Sequence, residues 1–186
     1  MNILGAILAG GKSSRMGQDK GLMPYKGKPL VEYVLEFLIP VCDEIVISSN
    51  SLDYLDFGHQ TIPDIVPDIG PMGGMFSVMN MIRADSYFFI SCDSPYNSKG
   101  LAEDFIKERQ HYDIIVPVHS NEKIEPLFGV YSYKVLSFLK KQIDVQDYKL
   151  MNLLKQCNTL YYDVPNKFFS DNPLLFKNIN LPSDVN

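Results

Sequence analysis

The feature of this sequence that most constrains its fold is an apolar run, ILGAILA at residues 3–9, that stops on Gly10 and Gly11. A run this short, apolar at nearly every position and closed by glycines, predicts a strand buried on both faces, as in a parallel sheet covered by helices. Residues 10–28 then carry Gly10, Gly11, Gly17, Gly21, Pro24 and Gly27, a density of breakers that predicts a long loop without a helix. Pro29 suits a first helical residue, and Leu30, Val34, Leu35, Phe37 and Leu38 recur at helical spacing up to Pro40.

Strand, loop and helix keep alternating along the chain. Residues 45–47, 59–63, 87–90, 113–118, 127–131 and 159–164 read as strands, and 72–82, 101–109, 134–142 and 148–155 as helices. Met72, Met75 and Met79 fall on one helical face and are expected in the core. The pattern predicts an α/β fold: a three-layer, doubly wound, mostly parallel sheet of the Rossmann-like kind. At 186 residues the chain is read as a single domain, 1–186, able to bury a core without disulfide or metal.

Composition narrows the function. The formal net charge of −5 argues against a nucleic-acid partner, which needs clustered Lys and Arg. Yet residues 1–30 hold Lys12, Arg15, Lys20, Lys26 and Lys28 against Asp19 alone, a basic spot on an acidic body that suits a compact anionic ligand. Cys42, Cys92 and Cys157 are odd in number and far apart, so neither a disulfide framework nor a cysteine zinc site is predicted. No apolar run reaches the ~18–20 residues of a membrane helix. A cytoplasmic protein without membrane contact is the expectation.

Two glycine motifs fail at the N-terminal loop. Gly11-Lys12-Ser13 matches the end of a P-loop, but its first glycine would have to stand where the chain has Ala6. Nothing fits the dinucleotide pattern of three spaced glycines. The loop nevertheless combines paired glycines, whose backbone N–H groups can approach phosphate, with Arg15 and Lys20 as charge-assisted donors, and so reads as a triphosphate cradle. Asp93 follows the apolar run 87–90, at the carboxyl edge of a parallel sheet where α/β proteins bind ligands. A hard carboxylate there can hold Mg²⁺ beside phosphates and waters, or simply cap the turn before Ser94-Pro95. His59, His111 and His119 show no metal-ligand spacing.

The string Leu8-Ala9-Gly10-Gly11-Lys12-Ser13-Ser14-Arg15-Met16-Gly17-Gln18-Asp19-Lys20 resembles, without a gap, the signature of the molybdenum cofactor guanylyltransferases, nucleotidyltransferases with a glycosyltransferase-A-like fold. The resemblance continues through Gly27-Lys28-Pro29-Leu30, Asp64, Gly70-Pro71-Met72-Gly73-Gly74, Cys92-Asp93-Ser94-Pro95-Tyr96, Glu125-Pro126-Leu127-Phe128 and Asn178-Ile179-Asn180-Leu181-Pro182. It implies GTP as donor, Mg²⁺ as cofactor and the terminal phosphate of molybdopterin as acceptor, with room for cofactor-synthesis or molybdoenzyme partner proteins.

By the same resemblance, Leu8, Ala9, Gly10, Gly11 and Lys20 bind the nucleotide, and Arg15, Lys20 and Asp93 form the catalytic set. Asp93, with Asn180, would hold the metal. Asp64 would read guanine, whose pairing edge offers N–H donors to a carboxylate; Asp68, four residues on, competes for that role. Ser48 stands where the family usually has Asn, with Asn50 two residues further, and is expected to bond the ribose. Rival readings are a relative using CTP or a sugar-phosphate acceptor, and a nucleotide-binding regulatory domain without turnover.

Overall fold

The computed structural model describes residues 2–10 and 19–179. In chain order the elements are β1 (Ile3–Leu8), β2 (Pro24–Tyr25), β3 (Lys28–Pro29), α1 (Leu30–Leu38), β4 (Glu44–Ser48), β5 (Gln60–Ile62), α2 (Pro71–Met81), β6 (Ser86–Ser91), α3 (Lys99–Glu108) and β7 (Ile114–His119). There follow β8 (Lys123–Ile124), β9 (Phe128–Ser132), α4 (Val135–Asp144), α5 (Leu150–Gln156), β10 (Thr159–Asp163) and α6 (Asn166–Asp171). The main sheet runs β10-β7-β9-β6-β1-β4-β5, with β8 attached to β7. Among its strands β1, β4, β5 and β6 pair in parallel, as do β7 and β10, while β9 enters antiparallel between β6 and β7.

Strand alternation divides the core into two layers. Ile3 and Ile7 of β1 and Phe88 and Ile90 of β6 face α1 and α3, packing with Val34, Leu38, Leu101 and Phe105. Leu4, Ala6 and Leu8, with Tyr87 and Phe89, face α2, α4 and α5, packing with Met72, Met75, Met79, Leu139 and Leu153. The three methionines are buried, as their spacing predicts. The doubly wound expectation holds, because a strand apolar on both faces is stable only with helices on each side. Among the described residues no helix is long and apolar enough to cross a membrane.

Three local expectations change. The segment read as an unbroken loop contains a 3-10 turn at Lys20–Leu22 and the small β2–β3 hairpin, closed by Lys26 and Gly27 at positive φ. Pro29 ends β3 and precedes the helix, which starts at Leu30. Ser48 ends β4 with its side chain under α2, where a Cβ on Gly74 would lie 2.5 Å from Ser48 Oγ. Ser48 is 1% exposed and its hydroxyl has no hydrogen-bond partner among the described residues.

This close approach at Gly74 lets α2 lie flush on β4. Helix propensity alone favours Gly74→Ala by about 1 kcal/mol, but the steric conflict should dominate, giving a net loss of about 1–3 kcal/mol. Adding Ser48→Ala should recover most of that loss. Chemical denaturation of the two variants checks both outcomes.

Candidate active site

The site forms where β1, β4, β5 and β6 end together. Leu8 is in register with Ser48 on one side and Ser91 on the other, and Ser48 with Ile62. Past these residues the backbones remain tied: Ala9 N–H donates to Ser48 O at 2.9 Å, Ser49 N–H to Ile62 O at 3.0 Å and Cys92 N–H to Leu8 O at 3.2 Å. The shelf that results is floored by strand ends, so residues immediately beyond them face one another at a topological switch of the sheet.

On this shelf lies an open cavity of about 440 Å³, lined by Ala9, Gly10, Asp19, Ser49, Asn50, Ser51, Asp64, Pro67, Asp68 and Gly70. Asp64 is half-buried. Its N–H donates to Asn50 Oδ1 at 2.9 Å, and Asn50 Nδ2 reaches its Oδ2 at 3.5 Å. Burial raises the Asp64 pKa above the usual aspartate value, against the lowering effect of the Asn50 amide. Asp68 lines the same cavity but is exposed, with φ at 63°.

Ser49 and Asn50 line the cavity, while the expected ribose partner Ser48 lies buried beneath Gly74. Strand alternation sends Ser48 into the α2 layer, whereas the residues after the strand end turn to the cavity. Asn50, two residues beyond Ser48, is the polar side chain that holds Asp64.

Asp93 lies just beyond β6 and is 6% exposed. A carboxylate so buried needs partners, and among the described residues Ser91 Oγ donates to Oδ1 at 2.6 Å and Lys20 Nζ lies 3.3 Å from Oδ2. The backbone of Asp93 is held as well, its carbonyl accepting from Ile179 N–H at 2.9 Å. Lys20 and Asp93, 73 residues apart, thus meet beside the cavity that Asp19 lines. Gly11, Arg15 and Asn180 lie outside the described residues.

The donor chemistry at Asp93 fits a magnesium ion. One hard carboxylate beside the Lys20 ammonium, at the edge of an open cavity, matches an ion that takes most of its oxygen ligands from substrate and water. Among the described residues no cluster of three or more His, Cys, Asp or Glu converges into a protein-only cage. His119 instead stacks on Phe176 with centroids 5.0 Å apart and meets Glu125 at 3.2 Å.

Comparison with known proteins gives a consistent picture. The sequence model described as MobA-like NTP transferase domain matches residues 5–160. Molybdenum cofactor guanylyltransferase of Vibrio parahaemolyticus is 36% identical over 182 residues, covering 96% of this chain and 91% of that one. Molybdopterin-guanine dinucleotide biosynthesis protein A from Archaeoglobus fulgidus superposes with a TM-score of 0.80 at 26% identity, over 98% and 94% of the two chains. CMP:2-keto-3-deoxy-manno-octonic acid synthetase complexed with CTP, at 13% identity and a TM-score of 0.69 over 98% and 94%, shares the fold alone. By sequence along most of its length and by the course of its sheet, the chain belongs to the MobA-like NTP transferase family.

Proposed function

We infer that the chain transfers GMP from GTP to the terminal phosphate of the molybdenum-molybdopterin cofactor, releasing pyrophosphate and forming the guanine dinucleotide cofactor. The observation that carries this reading is the Lys20–Asp93 pair beside a cavity that the half-buried Asp64 lines. The guanylyltransferases to which the chain aligns over 96% of its length support it. The whole chain, 1–186, acts as one domain in this reading, because one sheet draws strands from Ile3 to Asp163. A cytoplasmic setting accords with three unpaired cysteines.

Each residue has a defined task. The backbone of Leu8, Ala9 and Gly10 borders the nucleotide, and Lys20 donates to the triphosphate. By the family signature, Gly11 and Arg15 serve the same triphosphate, and Asn180 serves the metal together with Asp93. Asp64, oriented by Asn50, accepts from the N–H donors of guanine. Bound at Asp93, Mg²⁺ supplies charge neutralisation to the reacting phosphates. An oxygen of the acceptor phosphate attacks the α-phosphorus in line; the bond to the bridging oxygen breaks and pyrophosphate leaves with the electron pair. The acceptor is ionised at neutral pH, so no protein base is required and the chain contributes positioning and fixed charge.

Incubation with GTP, Mg²⁺ and the molybdopterin cofactor should release pyrophosphate, and omission of the acceptor should abolish release. CTP in place of GTP should be turned over at least about tenfold less efficiently. Equal use of both nucleotides would favour the rival reading. Asp93→Ala should lower kcat by about 100-fold or more while the protein stays folded by circular dichroism.

Asp64→Ala should raise KM for GTP by about 10–100-fold with a much smaller fall in kcat, as expected for contacts equal in ground and transition states. Asp68→Ala serves as the control and should leave KM nearly unchanged. The pH dependence has a defined sign. Because the Asp64 pKa is raised, lowering the pH protonates it earlier than an ordinary aspartate, removing an acceptor from guanine. KM for GTP should therefore climb as the pH falls into the acid range, and this climb should disappear in Asp64→Ala.

A further inference from the structure

Tyr54 is wholly buried on a 3-10 segment, Leu52–Phe57, that begins directly after cavity-lining Ser51. Its hydroxyl donates a hydrogen bond to Asp19 Oδ1. The same oxygen accepts from Gly21 N–H at 3.0 Å, so one carboxylate spans Lys20 from both sides. Leu22 N–H returns to Asp19 O at 3.2 Å and Met23 N–H to Lys20 O at 3.1 Å, closing the turn in which Lys20 sits.

The packing admits little slack. A Cβ on Gly21 would overlap Tyr54 Oη and lie 3.2 Å from the Cβ of Cys92, the residue before Asp93. The Lys20 turn is thereby wedged between the Tyr54 hydroxyl and the strand end that carries Asp93, with Lys20 Nζ 3.3 Å from Asp93 Oδ2. Burial above all, with the nearby Cys92 and Asp19, pushes the Tyr54 phenol well above its ordinary pKa, so it remains a donor across the working pH range.

We propose that Tyr54, acting through Asp19, is a positioning residue that sets Lys20 against the phosphates and Asp93. The proposal rests on the reading of Lys20 as the triphosphate donor. A lysine on a flexible stem is an effective charge only where its backbone is fixed, and a small misplacement of such a group costs rate more than binding. Tyr54 also joins the nucleoside side of the cavity to the triphosphate side, since its segment starts at the rim formed by Ser49, Asn50 and Ser51.

The test is a double-mutant cycle on the full chain, using Tyr54→Phe, Lys20→Met and the double variant, with whichever nucleotide the wild type turns over. Tyr54→Phe keeps the buried ring and removes only the hydroxyl. It should lower kcat about tenfold while KM for the nucleotide stays within about twofold. In the Lys20→Met background, Tyr54→Phe should cause no further fall in kcat, because there is no ammonium left to position. A similar fall in both backgrounds, or unchanged kcat in Tyr54→Phe, overturns the proposal. So does full activity in Lys20→Met, which also removes Lys20 from the chemistry. If the wild type prefers CTP, the guanylyl reading fails, yet the cycle still decides the role of Tyr54.

Discussion

The parallel pairing of β1 between β4 and β6 is the constraint on which the rest depends. Because Leu8, Ser48 and Ser91 stand in register, three chain segments leave the sheet at one level and in one direction. Hydrogen bonds continue for one residue beyond the strand ends, through Ala9, Ser49 and Cys92. Consequently Gly10, Asn50 and Asp93 follow fixed backbone at the shelf. A slip of one residue in β6 would reverse the faces of its side chains and take Ser91, the hydrogen-bond partner of Asp93, away from the site.

Electrostatics follow from that geometry. Asp93 is buried at the end of a hydrophobic strand, where an unpaired carboxylate would be costly. Ser91 and Lys20 make its placement tenable, and the same three groups leave charge of both signs beside the cavity. Asp64, in the cavity lining, has the side-chain amide of Asn50 as a partner, which only partly offsets desolvation. The two carboxylates therefore differ in kind: Asp93 stands beside a cationic side chain, and Asp64 keeps its accepting capacity for a ligand that brings N–H donors.

Much of this is legible in the sequence because it depends on local pattern. Apolar runs at residues 3–9 and 87–90 marked the buried strands, and the spacing of Met72, Met75 and Met79 marked the inner face of α2. Residues whose role depends on side-chain direction were harder. Ser48 and Asn50 lie two apart, and only the end of β4 decides that the first packs under Gly74 while the second reaches Asp64. The antiparallel course of β9 was likewise hidden, since a buried strand of five residues reads the same in either direction.

By itself the sequence determined the α/β alternation, the glycine-rich loop between β1 and α1, and the family, because periodicity and motif spacing are properties of neighbours along the chain. Tertiary structure decided which distant residues meet. Lys20 and Asp93 are 73 positions apart, and Tyr54 and Asp19 are 35 apart. No local pattern relates the members of either pair. They meet because the order of strands in the sheet, together with a close approach that only the hydrogen of Gly21 permits, seats the Lys20 turn between the Tyr54 segment and the end of β6.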